Sequence, residues 1–179
     1  MSSQSSPYVV PVHDLMHRPG ELRERVLEFD APEQLGEAVA VVRAGSPVRI
    51  GLRLEGLHDG ILVTGEVDAD AVGECVRCLD PVELPLEVDF QELFAYSEDE
   101  AFDFAIRDDH VNLESVVRDA VVLALPFQPV CRPDCPGLDP LTGEKMSDGA
   151  EVQHREVADP RWAALEGFRP TGSPENTDE

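Results

Sequence analysis

Val48-Arg-Ile-Gly-Leu-Arg-Leu-Glu-Gly-Leu-His-Asp-Gly-Ile-Leu-Val-Thr-Gly-Glu-Val-Asp68 alternates apolar and polar residues on either side of a turn. Val48, Ile50, Leu52 and Leu54 fall on one face; Arg49, Gly51, Arg53 and Glu55 fall on the other. A period of two is the signature of a half-buried strand. His58-Asp59-Gly60 supplies a turn with a residue free to take positive φ. Ile61, Val63 and Val67 then resume the alternation, with Leu62, Thr64, Glu66 and Asp68 opposite. The stretch therefore reads as an antiparallel hairpin with one dry face and one wet face.

Outward from it, a third strand is expected from about Ala71 to Arg77. A fourth carries Val82, Leu84, Leu86, Val88 and Phe90 alternating with Glu83, Pro85, Glu87 and Asp89. Pro85 lacks a ladder donor, which puts that strand at an edge. Upstream, Tyr8 to Pro11 and Arg25 to Phe29 read as short strands. Glu33 to Arg43 is ambiguous, since Leu35 and Val39 fit a helix while Val39, Val41 and Val42 favour a strand. Glu98 to Asp109 reads as an acidic loop around a short strand at Phe102 and Phe104.

Downstream, Asn112 to Leu125 has the clearest helical period. Leu113, Val116, Val117, Ala120, Val121 and Ala124 form an apolar stripe, Asn112 suits the N-cap, Glu114 the first turn, and Pro126 forces the exit. The fold class expected is α+β: a strongly curved antiparallel sheet, one long amphipathic helix packed on it, and a cysteine-bearing loop. Residues 1–7 read as a flexible lead, 8–138 as the α+β domain and 139–159 as an acidic linker. Residues 160–168 read as a short docking helix with Trp162, Leu165 and Phe168, and 169–179 as a disordered tail.

The chain has 179 residues and a formal net charge of −23, with thirteen Arg and a single Lys among its basic residues. Nucleic-acid affinity comes mostly from Lys and Arg displacing counterions, so this balance opposes a phosphate backbone and favours basic protein partners. No apolar run approaches the length of a bilayer span, and Met1 to Pro7 has neither a basic region nor an apolar core. The expected location is cytoplasmic, where thiols stay reduced.

Chemistry concentrates in the four cysteines, Cys75-Val-Arg-Cys78 and Cys131-Arg-Pro-Asp-Cys135. Each pair has a spacing that lets two thiolates converge on one tetrahedral ion. The first pair falls in a turn between strands; the second lies on a proline-stiffened loop after the helix. Together they are a candidate structural zinc site. A thioredoxin-like redox motif needs its first cysteine at a helix N-terminus. Burial as small apolar residues explains one cysteine better than two close pairs, and a disulfide is disfavoured by compartment. The five histidines show no ligand spacing, and no phosphate-binding glycine loop or nucleophile elbow is present. No catalytic residue and no organic cofactor are expected.

Gly73-Glu-Cys-Val-Arg-Cys-Leu-Asp-Pro81, Gln91-Glu-Leu-Phe94, Val117-Arg-Asp-Ala-Val-Val-Leu-Ala-Leu-Pro126 and Cys131-Arg-Pro-Asp-Cys-Pro-Gly-Leu138, in this order, resemble the YceD family of large ribosomal RNA subunit accumulation proteins. Arg18-Pro19-Gly20 and Asp159-Pro-Arg-Trp162 resemble a variant of that family with high arginine content. The resemblance covers roughly residues 8–166. It implies a non-enzymatic role in the synthesis, processing or stability of large-subunit (23S) ribosomal RNA, and association with a small basic large-subunit ribosomal protein or a pre-ribosomal particle. Similar proteins often continue the second cysteine motif as Gly-Leu-Cys-x-x-Cys-Gly. Here Asp139 and Thr142 stand at those positions, so a zinc ion would need Cys75 and Cys78, with Asp139 as a conceivable oxygen ligand. Two alternatives stand beside this reading. One is direct RNA binding through a patch of Arg49, Arg53 and Arg77; the other is a Cys-x-x-Cys thiol oxidoreductase.

Overall fold

β-Branched and leucine residues at every second position commit the middle of the chain to a ladder. In the computed structural model, which describes residues 6–37, 39–97, 103–148 and 161, that ladder is the whole framework. The strands are β1 (Val9–Pro11), β2 (Leu22–Asp30), β3 (Ala40–Val41), β4 (Pro47–Gly56), β5 (Gly60–Glu74), β6 (Pro81–Ala95), β7 (Phe104–Ala105) and β8 (His110–Asn112). Among the described residues one α-helix, α1 (Glu114–Ala124), follows them. The main sheet runs β2-β4-β5-β6-β7, with β3 also on β5, and β1 pairs separately with β8. All pairings are antiparallel except β6 with β7.

The hairpin stands as its alternation dictates. Val48, Ile50, Leu52 and Leu54 of β4 and Ile61, Val63 and Val67 of β5 are buried on one face. Each such side chain contributes roughly 1.5–3 kcal/mol by leaving water. β5 is longer than expected: it runs unbroken for 15 residues, and the separate third strand is its second half. Ala69 and Ala71 are buried in phase with Val67, so no register change separates the two parts. Small residues there hid the continuity. Val76 and Arg77, expected at the end of that strand, belong to the turn before β6.

β6 also runs 15 residues and, among the described residues, is paired on its outer side only at Phe94 and Ala95. Pro85 thus sits on an open edge, as its missing donor requires. Between Pro32 and Arg43 the β-branched residues prevail. Leu35 bridges to Val42, β3 pairs with β5, and Gly36 takes φ +89.

Two expectations about the layers are corrected. The sheet is not strongly curled; its path is open, and its end strands β2 and β7 do not pair with each other. The helix is short, 11 residues rather than the span from Asn112 to Leu125. Asn112 is consumed as the last residue of β8, and its Oδ1 accepts the Glu114 amide at 3.0 Å from there. Leu113 takes the N-cap position, and Leu125 is already extended ahead of Pro126. The buried stripe is Leu113, Val116, Val117 and Val121, and Ala124 is exposed. The stripe packs against β6 and completes the core with Phe90, Phe94 and the β4–β5 face.

Residues 139–148, the first part of the expected linker, form a turn against the β5–β6 end, with Leu138 bridged to Lys145. Phe102, the remaining linker, the expected docking helix (Arg161 apart) and the tail lie outside the described residues. Among the described residues no helix is long and apolar enough to cross a membrane.

Candidate metal centre

The β5–β6 ladder delivers Cys75 and Cys78 at its far end. Glu74 pairs with Pro81, and the six residues between them form a tight knuckle. The Cys75 amide donates to the Asp80 carbonyl at 2.8 Å, the Leu79 amide donates to the Cys75 carbonyl at 2.9 Å, and Leu79 takes φ 60. The loop leaving α1 is stitched onto this knuckle. The Val76 amide donates to the Pro129 carbonyl at 2.9 Å. Arg77 Nη1 donates to the carbonyls of Pro133, at 3.1 Å, and Cys135, at 3.0 Å. Gly137, at φ +84, lies so close to Arg77 that a Cβ there would sit 3.1 Å from its carbonyl oxygen.

This stitching brings the four sulfurs within 4.8 Å of one another. Cys75 Sγ lies 3.9 Å from Cys135 Sγ, and Cys78 Sγ lies 3.7 Å from Cys131 Sγ. A tetrahedron with metal–sulfur bonds of about 2.3 Å has edges of about 3.8 Å. A disulfide needs a separation of about 2.05 Å, and all four cysteines are free. Cys75, Cys78 and Cys135 are buried beside Val82, with Leu84 and Val130 packed around them, while Cys131 is exposed. The arrangement could hold a metal ion in an all-thiolate site, and the sulfurs fit zinc by number, spacing and chemistry.

The thiols do not ionise alike. Amides of Cys131 and Cys78 point at the Cys75 sulfur and bring it down to about 6, against the opposing effect of burial. At Cys78 the Asp80 amide also favours the thiolate, but burial and the three surrounding thiols outweigh it and push the group up to about 12. Cys131 is raised chiefly by its hydrogen bond with Cys135. One thiolate is thus easily formed and the next resist it. A divalent cation removes that mutual repulsion. The Cys-x-x-Cys lies between strands and not at a helix N-terminus, so it lacks the geometry of a thioredoxin motif.

Asp139 is not a member of the cluster: its Oδ1 accepts the amides of Leu141, at 2.7 Å, and Thr142, at 3.0 Å. Sequence reasoning missed an ion pair between Lys145 Nζ and Asp80 Oδ1 at the rim of the thiols. No local pattern announces it, although Lys145 is the only lysine of the chain.

The three arginines of the alternative, RNA-binding reading are each engaged. Arg49 pairs with Glu28, at 3.6 Å, and Asp68, at 3.0 Å; Arg53 lies 3.9 Å from Glu55; and Arg77 is committed to the cysteine loop. The wet face of the sheet is instead acidic. Glu66, Asp68 and Asp70 of β5 lie beside Asp89, Glu87 and Pro85 of β6, with Glu83 opposite Val72. Hydrogen bonding and like-charge crowding from Glu87, with Asp68 and Asp89 adding to it, raise the Glu66 carboxyl above its ordinary value.

Comparison with known proteins returns one family profile, described as large ribosomal RNA subunit accumulation protein YceD, over residues 63–169. An uncharacterized protein of Mycobacterium tuberculosis is 41% identical over 169 residues, covering 90% of this chain and 81% of its own. One from Mycobacterium leprae is 34% identical over 168 residues, covering 89% and 76%. Bacillus subtilis YlbN, also uncharacterized, is 25% identical over 154 residues, covering 82% and 90%. No solved structure matches.

Proposed function

The chain belongs to the YceD family, and from that premise we propose that it is a non-catalytic, cytoplasmic ribosome-biogenesis factor supporting accumulation of large-subunit (23S) ribosomal RNA through a basic ribosomal protein partner. The family carries the first half of this reading; the acidic face of β5 and β6 carries the second. Carboxylates aligned on one wet face repel a phosphate backbone and attract a lysine- and arginine-rich surface. Such a face shields a basic ribosomal protein until RNA replaces it. Direct RNA binding needs uncommitted arginines, and Arg49, Arg53 and Arg77 are each engaged by carboxylates or carbonyls.

The metal in this reading is zinc, held by Cys75, Cys78, Cys131 and Cys135. Four thiolates fill a tetrahedral ion and leave no position for a substrate, so its role is structural. It ties the exit of α1 to the end of the β5–β6 ladder. Affinity capture of the tagged full chain from its own cells, with nuclease treatment, tests the partner. Recovery of a basic large-subunit ribosomal protein is expected. Recovery of ribosomal RNA without any ribosomal protein, abolished by nuclease, would overturn it.

A further inference from the structure

The segment from Leu138 to Lys145 repeats, bond for bond, the turn that carries Cys75 and Cys78. In the cysteine knuckle the first residue donates its amide to the sixth carbonyl, and the fifth amide donates to the first carbonyl: Cys75 to Asp80 at 2.8 Å and Leu79 to Cys75 at 2.9 Å. In the later loop the same two bonds are Asp139 to Glu144 and Gly143 to Asp139, each 2.8 Å. The fifth residue is left-handed in both, Leu79 at φ 60 and Gly143 at φ 72. The residues flanking each turn are paired, Glu74 with Pro81 and Leu138 with Lys145.

The later turn closes itself with the side chains that stand where Cys75 and Cys78 stand in the first. Asp139 Oδ1 accepts the amides of Leu141 and Thr142, the third and fourth residues of its turn, at 2.7 and 3.0 Å. Thr142 Oγ1 accepts the Glu144 amide at 3.2 Å. Carboxylate and hydroxyl oxygens thus occupy the positions of two sulfurs, and they need no ion to hold them in place.

We infer that residues 139–144 are a second knuckle that closes without metal, and that it seats Lys145 against Asp80 as a charge clasp on the thiol cluster. The residue that closes the cysteine knuckle, Asp80, is the one that receives the residue following the second turn, Lys145. Asp80 Oδ2 lies 3.5 Å from Cys78 Sγ, so an unpaired carboxylate there would repel a thiolate. Four thiolates around a divalent ion also leave a net negative charge. The neighbouring cations are otherwise occupied: Arg77 holds carbonyls, and Arg132 pairs with Asp134 and Asp148. Lys145 therefore offsets both charges, and Asp139 and Thr142 are positioning residues for it. The clasp rests on the reading of the four cysteines as a zinc site; the metal-free turn does not.

Two measurements on the full chain test this. First, zinc-loaded protein is mixed with excess 4-(2-pyridylazo)resorcinol and zinc release is timed. Lys145→Ala and Asp139→Ala should each release zinc about tenfold faster, the lower end for outer-shell partners of a metal site. Lys145→Arg and Asp139→Asn, which keep the charge and the acceptor, should stay near wild type. Equal release from all five proteins overturns the clasp. Second, hydrogen exchange is followed on the metal-free protein. The amides of Leu141, Thr142, Gly143 and Glu144 should remain protected, and protection should fall in Asp139→Ala. Free exchange at these amides in the metal-free wild type overturns the second knuckle. A wild type that takes up no zinc overturns the clasp together with the zinc reading, and the exchange result still decides the turn.

Discussion

Gly65 lies on the dry face of β5, where the Phe90 ring crosses the cross-strand position; a Cβ there would stand 2.3 Å from two ring carbons. Gly65→Ala should force Phe90 off its place and destabilise the protein by about 2 kcal/mol, as overpacking does, read as a lowered midpoint in thermal unfolding. Asp139 acts through its ionised carboxylate. The amides of Thr142 and Leu141 hold it below its ordinary value of 3.8. A depressed carboxyl stabilises the fold fully above its unfolded value and loses that contribution as pH falls through the folded one. The chemical shifts of the Leu141 and Thr142 amides should therefore stay flat down to about pH 4 and move only below it. Asp139→Asn should abolish the transition while keeping the acceptor.

At the scale of elements, α1 presents two kinds of leucine. Leu113 is fully buried at its start, whereas Leu123 is 83% exposed near its end. Leu113→Ala should cost about 3 kcal/mol and Leu123→Ala less than about 0.5 kcal/mol, a contrast that chemical denaturation resolves directly. The β4–β5 hairpin was legible because its alternation is strict. The continuation of β5 was not, because Ala69, Asp70 and Ala71 carry weak strand preference and only tertiary pairing reveals them. The start of α1 was misread because Asn112 does accept a helix amide, but from the end of β8. The cysteine set was legible from spacing alone. Its clasp was not: Lys145 and Asp80 are 65 residues apart, and nothing local links them. The second knuckle was hidden for a different reason, because Asp139 and Thr142 keep the spacing of ligands without their chemistry.

Across the described residues, carboxylates and thiols separate into two regions, the acidic wet face along the sheet and the cysteine cluster at its end. They should therefore be separable by mutation. Under the proposed function, Glu66→Lys with Asp89→Lys should weaken capture of the proposed basic partner about tenfold, equivalent to about 1.4 kcal/mol, and leave zinc uptake unchanged when both are assayed on the same preparation. Raised ionic strength should weaken capture in the same direction. The same carboxylates have a second consequence through the open side of β6. From Pro81 to Leu93 that edge is unpaired among the described residues, and a bare edge of this length is a template on which another copy can add a strand. Pro85 removes one donor, and Glu83, Glu87 and Asp89 set negative charge at intervals along it. Two copies approaching edge to edge bring these rows together and are driven apart. The strand that displays the acidic face also guards the chain against polymerising through its own sheet.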